Sequence, residues 1–527
     1  MDTKKYEQMS PFELKNILIK MAQDSAKKNN EEVLNAGRGN PNFLNTLVRR
    51  AFNYFTLFAA DLAEKNIDIK NLGLRIKPDG IKKKLDDFLS KLEDKESANF
   101  LKEAINYCNE KLNLNLDELV FELADASLGD FYPSPPRIFP NMEKIIFDYL
   151  NKVLFDGQLA KKGKFELFAT EGATASMIYI FNSLKENKIL NEGDYIAIIT
   201  PIFSPYLEIP ELNDYKLVEV FVESNEEKGW QVPDSEIKKL EDQKVKALFF
   251  VNPANPASVA LNKETLEKIE KIVSEKRRDL IVLTDTVYAT FVEKFNSVAG
   301  VIPKNTICVY SYSKYFGATG WRLGIIMLHE DNVIDKLIAN LSEKDKKELD
   351  NRYRIDALQP EKIKFINRLE MDSRNIALAH TGGLSCPQQC IMALFSLFEL
   401  LDKKKEYKKS IQSILLKRIT SLYDNLGIKN QIGPEHTYYY TLLDLGKMAA
   451  EKYDNDFAKY FIQNVSTIEF LFKLAKEKLT ICLPGQGFAG PKSSIRIALA
   501  NLSNDAYPII GKNINDVMQE YYNNWKK

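Results

Sequence analysis

Between residues 165 and 328 the sequence repeats one pattern seven times: a short run of β-branched and aromatic residues, usually followed by a polar segment long enough for a helix. The runs are FELFAT (165–170), YIAIIT (195–200), LVEVFV (217–222), KALFFV (246–251), LIVLTD (280–285), ICVYS (307–311) and LGIIML (323–328). Near-continuous apolar runs are typical of buried strands in a parallel sheet that helices cover on both faces. The sequence therefore predicts an α/β protein with seven buried strands in a mainly parallel sheet.

The sequence on either side of this pattern predicts further structure. SPFE (10–13) is a capping box with proline at the first helical position, and it predicts a helix that runs to about Lys28. Residues 46–118 are also helical in pattern, whereas TYYYTLLDL (437–445) and SSIRIALANL (493–502) read as strands. We predict an N-terminal segment with an accessory helical layer that lies partly in a small domain, a large domain, and a C-terminal small domain, at residues 1–129, 130–400 and 401–527.

The charge balance argues against a polyanionic partner. Lys and Arg together number 73, as do Asp and Glu, so no net field attracts nucleic acid or an anionic membrane. The N-terminus lacks the apolar core of a signal peptide, and no run of about eighteen apolar residues predicts a membrane span. The five cysteines are sparse and odd in number, and the three histidines are scattered. These features predict a reducing, cytoplasmic location and no metal site.

The segment SYSKYFGATGWRLG (311–324) carries the strongest chemical signal. The run before it predicts a buried strand that ends at Ser311, so Lys314 lies at the carboxyl end of a strand, where open α/β sheets bind ligands. Arg322 follows eight residues later, near enough in a compact loop to share one anion with Ser311 and Ser313. Pyridoxal 5'-phosphate fits this arrangement, because the lysine would bond to its aldehyde while serine and arginine hold its phosphate.

A second strand end offers the acid that this cofactor needs. The pyridine ring of the cofactor acts as an electron sink only while its nitrogen is protonated. A protonated nitrogen requires a buried carboxylate beside it. Asp285 ends the strand LIVLTD, and Tyr288 follows with a phenol for the ring's 3-oxygen. The alternative interpretation is a helix N-cap aspartate next to a core tyrosine.

The pattern Ser-x-x-Lys with arginine eight residues on resembles the cofactor-lysine signature of the class I/II aminotransferases, which are pyridoxal phosphate-dependent transferases of fold type I. The resemblance covers nearly the whole chain, and the sequence of residues 311–324 is similar to that of the aspartate β-decarboxylase branch of the family. It implies a large domain with a seven-stranded sheet and a smaller α/β domain built from both chain ends. It also implies that Lys314 bonds to the cofactor and acts as the catalytic base.

The resemblance extends to three further cofactor-binding positions. Asn255 corresponds to the asparagine of the family's NPTG turn, although the turn here reads NPAS, and a plain turn is the alternative. Phe203 corresponds to an aromatic residue that stacks on the ring, and a core phenylalanine is the alternative. The resemblance implies that the cofactor phosphate binds at the turn of Gly172, Ala173 and Thr174. The alternative is an ordinary strand-to-helix turn with a threonine cap.

Three other positions bear on substrate and assembly. Arg496 lies between isoleucines, and the resemblance implies that it binds the substrate α-carboxylate, with a structural salt bridge as the alternative. Arg38 lies in a glycine-rich loop where ordinary aminotransferases carry a small residue, and it is a candidate substrate contact. Tyr132 is similar to the tyrosine that reaches a neighbouring subunit's cofactor phosphate. Either of the last two residues is otherwise a simple loop residue.

The resemblance implies β-decarboxylation of L-aspartate to L-alanine and carbon dioxide, accompanied by transamination between aspartate and 2-oxo acids. A plain aspartate or broad-specificity aminotransferase is the alternative. A regulator of the same fold that binds DNA is disfavoured because residues 1–125 lack a basic winged-helix pattern. The family also implies at least a homodimer, with a larger assembly of dimers as an extension. Residues 331–374, highly charged and helical in pattern, are a solvated insertion or an oligomer contact.

Overall fold

The computed structural model describes residues 4–6, 9–29, 32–212, 215–374, 378, 382–430 and 432–527, and His380 lies outside them. Its main sheet has the seven strands that the sequence predicts. They are β1 (Phe165–Thr170), β2 (Tyr195–Thr200), β3 (Val218–Glu223), β4 (Val245–Val251), β5 (Ile281–Asp285), β6 (Thr306–Ser311) and β7 (Gly324–His329).

The spatial order of these strands is β1-β7-β6-β5-β4-β2-β3, and β7 alone runs antiparallel to its two neighbours. The prediction of a mainly parallel seven-stranded sheet is therefore confirmed. Strands β5, β6 and β7 are buried along their whole length. The prediction of a buried strand at residues 217–222 is wrong, because β3 forms the sheet edge and only Val222 of its residues is buried. An edge strand has a neighbour on one side only, which leaves Val218 and Phe221 exposed.

Helices pack against the sheet and extend the fold on both sides. Those before the sheet are Pro11–Asn29, Thr46–Glu64, Ile81–Lys91, Lys95–Leu112, Leu116–Leu128 and Pro140–Phe155. Those within and just after it are Ala173–Glu186, Ser204–Glu211, Asp234–Ile237, Lys263–Glu275, Val298–Val301, Val333–Ala339, Glu343–Tyr353, Phe365–Arg374 and Cys386–Leu401. Those nearest the C-terminus are Glu406–Leu426, Leu445–Lys452, Asn455–Asn464, Thr467–Lys478 and Ala506–Trp525.

A layer of four helices lies within residues 46–128. Its helices Thr46–Glu64 and Leu116–Leu128 pack against each other and against Cys386–Leu401. Asn45 caps the first of them by accepting a 2.9 Å hydrogen bond from the backbone of Val48. This layer places the connection that precedes it, residues 35–45, next to the main sheet.

The smaller α/β part is built from both ends of the chain, as predicted for this fold. Strands β8 (Tyr440–Asp444), β9 (Leu483–Pro484) and β10 (Ser494–Ala498) form an antiparallel sheet in the order β9-β10-β8. The N-terminal helix Pro11–Asn29 packs on Thr467–Lys478. A two-residue strand after that N-terminal helix pairs in parallel with residues 480–481. The N-terminal chain is thereby held over the carboxyl ends of the large sheet.

The charged segment 331–374 forms three helices, and a buried network ties the last of them to the main sheet's covering helix. Asp372 is 2% exposed and accepts hydrogen bonds from Ser183 at 2.6 Å and from Tyr353 at 2.9 Å. The segment is therefore packed on one side. Its role in an oligomer stays a prediction.

Neither a membrane-spanning helix nor a metal-binding cluster occurs among the described residues. No helix there has both the length and the apolar character needed to cross a membrane. No group of three or more His, Cys, Asp or Glu side chains within the described ranges is arranged to hold a metal ion. All five cysteines are buried and free of disulfides.

Candidate active site

A cavity of about 280 Å³ lies at the carboxyl ends of the parallel strands, under residues 39–40 of the N-terminal chain. The predicted site residues that line it come from five different strand ends and from β10 in the smaller sheet. They are Ala173, Thr174, Phe203, Asn255, Asp285, Tyr288, Ser311, Ser313, Lys314, Arg322 and Arg496. Since parallel strands end at one edge of a sheet, residues far apart in sequence converge here.

Lys314 lies in the turn that follows β6. Its amine donates a 2.9 Å hydrogen bond to the carbonyl oxygen of Gly39. Burial lowers the pKa of Lys314 below its usual value, and the positive charges of Arg496 and Arg322 act in the same direction. A lowered pKa increases the fraction of neutral amine, which is the form that bonds to an aldehyde or accepts a proton.

Asp285 is the last residue of β5 and is 3% exposed. Its Oδ2 accepts a 2.7 Å hydrogen bond from the hydroxyl of Tyr206, and its Oδ1 accepts a 3.0 Å bond from the backbone of Val287. Burial raises the pKa of Asp285 to about 6, and these hydrogen bonds oppose the rise only in part. Since the bonds to Asp285 within the described residues come from no cation, its buried carboxylate gains stability if a positively charged group enters the cavity.

The anion-binding end of the cavity combines a helix N-terminus with an arginine. Gly172 precedes the helix Ala173–Glu186, and a Cβ placed on it would lie 2.8 Å from Nη2 of Arg322. The guanidinium therefore lies directly against the helix N-terminus, whose free amides favour negative charge. The hydroxyl of Ser311 donates a 2.9 Å hydrogen bond to that of Ser313 at the same end. This donor set fits a phosphate.

Arg496 lies in the middle of β10 and is 1% exposed. Its Nη2 donates a 3.0 Å hydrogen bond to the carbonyl of Gly37, while its Nε has no hydrogen-bond partner within the described residues. Within the described residues the Arg496 guanidinium bonds to the Gly37 carbonyl and to Oδ1 of Asn255 and to no carboxylate. Burial lowers the pKa of Arg496. A buried cation without an anion is suited to bind one from solution.

Three aromatic rings enclose the Arg496 guanidinium. The distances from its Cζ to the ring centres are 4.5 Å for Tyr440, 4.7 Å for Phe488 and 5.7 Å for Phe12. The rings exclude water from the cation and leave its edge as the surface that meets a ligand. An anion that binds there would be held in a low-dielectric environment, where a forked hydrogen bond is strong.

A chain of hydrogen bonds connects the remaining polar residues. Asn255 donates through Nδ2 to the hydroxyl of Tyr288 at 3.4 Å, and Tyr288 donates to the hydroxyl of Tyr440 at 3.1 Å. Arg496 donates to Oδ1 of Asn255 at 3.4 Å. Burial raises the pKa of Tyr288 well above its usual value, so this phenol keeps its proton.

Three predicted residues, Gly172, Arg38 and Tyr132, do not line the cavity, although Gly172 lies against Arg322, which does. Arg38 is exposed on the loop above it, and the side chain of Tyr132 is 64% exposed in the single chain. Their assigned roles stay predictions. The half-buried Phe203 does line the cavity, with its ring centre 5.2 Å from that of Tyr206 in an edge-on arrangement.

Sequence reasoning missed several lining residues, among them Phe12, Gly39, Asn40, Tyr206 and Tyr440. The alternation of TYYYTLLDL was a usable signal for Tyr440. In the antiparallel sheet it pairs with Ala498, two residues from Arg496, and so lies on the same face as that arginine. No local signal indicates that Phe12 contacts the site, because its partners lie hundreds of residues away.

Comparison with known proteins identifies relatives of this arrangement. The family model for aminotransferases of class I and II matches residues 106–510. A bifunctional aspartate aminotransferase and L-aspartate beta-decarboxylase from a Pseudomonas species is 43% identical over 520 residues, which cover 98% of this chain and 97% of that protein.

Solved structures show the same fold. An aromatic aminotransferase from Pyrococcus horikoshii superposes with a TM-score of 0.58 at 18% identity, covering 95% of this chain and 99% of that one. An aspartate aminotransferase from Thermus thermophilus, solved with maleate, superposes with a TM-score of 0.55 at 16% identity, covering 95% of this chain and 96% of that one.

Proposed function

The chain belongs to the class I and II aminotransferase family, and from this we propose that it converts L-aspartate to L-alanine and carbon dioxide, with accompanying transamination between aspartate and 2-oxo acids. The 43% identical relative, which is named for both activities, supports this choice because the match extends over nearly the whole of both chains. Enzymes of the family depend on pyridoxal 5'-phosphate, which we propose as the cofactor here.

The cavity fits that cofactor at both ends. We assign the phosphate to the Arg322 guanidinium, the Ser311 and Ser313 hydroxyls, and the helix N-terminus at residues 172–174, where Gly172 leaves no Cβ to fill the space. The buried carboxylate of Asp285 is the partner for a protonated ring nitrogen. Asn255 and Tyr288 are proposed to bind the ring's 3-oxygen, and Phe203 to lie against its face. When bound, pyridoxal phosphate provides an electron sink conjugated to the α-carbon of the substrate.

The chain's own groups then act on aspartate. Arg496 binds the α-carboxylate through its free edge and places the α-carbon beside Lys314. Lys314 would hold the cofactor until the substrate amine replaces it, and the freed neutral amine, favoured by its lowered pKa, would then take the proton from the α-carbon. The aromatic rings around Arg496 keep water away from the carboxylate that this arginine binds.

The fate of the second carboxylate decides between the two reactions. Among the described residues that line the cavity, the only basic side chains are Lys314, Arg322 and Arg496, and each already has a proposed role. A poorly solvated carboxylate loses carbon dioxide more readily, because its charge disperses in the transition state. We propose that Arg38, on the loop above the cavity, shapes the environment of this group.

We further propose that the active enzyme is at least a homodimer. Tyr132 is exposed on the surface of the single chain, and in a dimer it would reach the cofactor phosphate of the neighbouring subunit. This assignment predicts that Tyr132→Phe weakens cofactor binding without removing the fold. Analytical ultracentrifugation of the purified protein tests the assembly directly.

The convergence of Lys314, Asp285, Arg322 and Arg496 in one cavity carries the proposal. Purified protein is incubated with pyridoxal phosphate and L-aspartate, and carbon dioxide, alanine and oxaloacetate are measured. Carbon dioxide and alanine from aspartate alone support β-decarboxylation, whereas strict dependence on a 2-oxo acid acceptor identifies the plain aminotransferase. Lys314→Ala is expected to abolish both reactions. Lys304→Ala, at an exposed ion pair with Asp331, is the matched control that retains them.

A further inference from the structure

The hydroxyl of Tyr440 occupies a distinct position in the cavity. A Cβ placed on Gly39 would lie 2.9 Å from this oxygen and 3.5 Å from the amine nitrogen of Lys314. The phenol and the amine therefore border the same point of the backbone. Tyr440 is itself 3% exposed and lines the cavity, so its hydroxyl belongs to the space that the substrate enters.

The hydrogen bonds that reach Tyr440 have a direction. Asn255 donates to Tyr288, and Tyr288 in turn donates to Tyr440 at 3.1 Å. Burial keeps the pKa of Tyr288 high, so this phenol keeps a proton that it can donate to Tyr440 or to a group bound in the cavity. Within the described residues no protein acceptor is found for the proton of Tyr440. The series therefore ends on an O–H group that has the cavity as its remaining direction.

A cation that is proposed to bind the substrate also lies next to Tyr440. The Arg496 guanidinium lies 4.5 Å from the centre of the same ring, in a water-poor environment where charges interact strongly. A phenol that accepts one hydrogen bond and has no acceptor for its own proton within the described residues is arranged to donate that proton to a ligand in the cavity.

We infer that Tyr440 is the acid that protonates the substrate carbon from which the β-carboxylate departs. This inference rests on the proposed function, since only β-decarboxylation leaves a carbon that needs such a proton. Lys314 takes the proton from the α-carbon. A separate donor next to it would protonate the β-carbon, so that each carbon has its own acid–base group. The catalytic role is thus divided between an amine and a phenol.

The step balances without an oxidant or a reductant. The bond between the β-carbon and its carboxyl carbon breaks, carbon dioxide leaves, and the bonding electron pair stays with the organic fragment. A C–H bond forms at the β-carbon with the Tyr440 proton, which gives the methyl group of alanine. The phenolate then takes a proton from water, so each turnover consumes one proton.

A stereochemical experiment tests the inference. L-Aspartate labelled with deuterium and tritium in one configuration at the β-carbon is converted in ordinary water, and the configuration of the alanine methyl group is determined. A fixed donor delivers hydrogen to one face, so the wild type is expected to give one configuration. Tyr440→Phe keeps the ring over Arg496 but lacks the acid. Its rate of alanine formation is expected to be lower than that of wild type by about 100-fold or more, which is the range of general acid catalysis. Its alanine is expected to have a scrambled methyl configuration.

Controls separate this inference from the proposed function. Cofactor affinity of Tyr440→Phe, followed by tryptophan fluorescence, shows whether the variant still forms the site. Tyr438→Phe is the matched control, because its hydroxyl bonds the Gly433 carbonyl at 3.1 Å and does not line the cavity. If the wild type releases no carbon dioxide from aspartate, the proposed function fails. If the wild type makes alanine and Tyr440→Phe makes it at the same rate and in one configuration, the assignment of Tyr440 alone is overturned.

Discussion

The amine of Lys314 donates a hydrogen bond of 2.9 Å to the carbonyl oxygen of Gly39, a residue 275 positions earlier in the chain. The hydroxyl of Tyr439 donates to the same oxygen, also at 2.9 Å. One backbone carbonyl thus joins the large sheet, the N-terminal loop and the smaller sheet at the centre of the site. The shape of this loop therefore governs how the lysine is presented to a ligand.

Substitution of Gly39 tests that dependence. In Gly39→Ala the new Cβ would lie 2.9 Å from the Tyr440 hydroxyl, which is on a buried ring that cannot easily move away. We expect the loop to shift and the turnover of aspartate to fall by about 10-fold, because small misplacements of catalytic groups are costly. Gly320→Ala is the control, since a Cβ there meets nothing within 4 Å. Equal turnover in both variants would show that the loop tolerates the methyl group.

The pKa of Asp285 predicts a pH dependence of stability in the cofactor-free protein. Burial raises this pKa from 3.8 to about 6, so the folded chain binds a proton more readily than the unfolded chain between these values. The contribution of Asp285 to stability is therefore full at low pH and is lost as pH rises through about 6, by about 3 kcal/mol at most.

Thermal melts of cofactor-free Asp285→Asn and wild type measure this effect. The asparagine variant is expected to gain stability relative to wild type as pH rises from about 4 to about 7. Asp279→Asn is expected to show little such change over this range, because the hydrogen bond from Arg277 lowers the pKa of Asp279 below its ordinary value of 3.8, so its linkage acts at lower pH. A difference between Asp285→Asn and wild type that stays constant with pH would contradict the raised pKa. With cofactor present, the same variant should bind it more weakly, because the ring nitrogen loses its charged partner.

Much of the large domain and most of the cofactor end could be predicted from sequence, because the signals there are local. Buried parallel strands appear as continuous apolar runs, and Asp285 and Lys314 lie at or just after the ends of such runs. The resemblance then located Arg322 by its spacing from the lysine. For all three residues, a pattern within a short stretch of sequence is enough to predict where the side chain lies in the fold.

The remainder of the site depends on contacts between distant segments. Phe12 lies in the first turn of a helix that the capping box predicts, but nothing near it indicates that its ring lies against Arg496, more than 480 residues away in sequence. Gly39 and Tyr440 meet only because both chain ends fold over the sheet. The exposed edge at β3 was missed for a related reason, since strand order is decided by tertiary packing and not by the composition of one run.

Gly172 is predicted to be essential for the anion-binding end. Its φ of 98° lies in the region that favours glycine, and a Cβ would lie 2.8 Å from Nη2 of Arg322. Gly172→Ala should therefore weaken the binding of pyridoxal phosphate by about 10-fold or more, since the phosphate loses both space and a correctly placed guanidinium. Gly193→Ala has a similar φ of 85° with no atom within 4 Å, so it carries the backbone strain alone. Fluorescence titration with the cofactor compares the two variants, and equal affinities would remove the phosphate from this position.

Arg496 is predicted to determine the affinity for substrate more than the affinity for cofactor. Arg496→Lys keeps the positive charge but loses the planar fork that binds a carboxylate with two hydrogen bonds. We expect KM for aspartate to rise by about 10- to 100-fold, the range for lost hydrogen bonds to a charged group. The same variant should bind pyridoxal phosphate almost as well as wild type. A large loss of cofactor affinity with an unchanged KM would place Arg496 at the other end of the cavity.

Arg38 provides the sharpest test of what separates decarboxylation from transamination. It is exposed on the loop that carries Gly39, and its positive charge lowers the pKa of the nearby Lys15, after the larger effect of burial on that lysine. Removing this charge changes the electrostatic environment at the cavity mouth, where a second carboxylate has no cation assigned to it. Arg38→Ala is therefore expected to change the ratio of alanine to oxaloacetate formed from aspartate, measured in one reaction with both products quantified.

Arg50→Ala is the control, because the Arg50 guanidinium is paired with Asp94 away from the cavity lining. This variant is expected to leave the ratio as in wild type. If Arg38→Ala gives the wild-type ratio, the loop charge plays no part in the choice, and the water-poor cavity itself must account for the release of carbon dioxide.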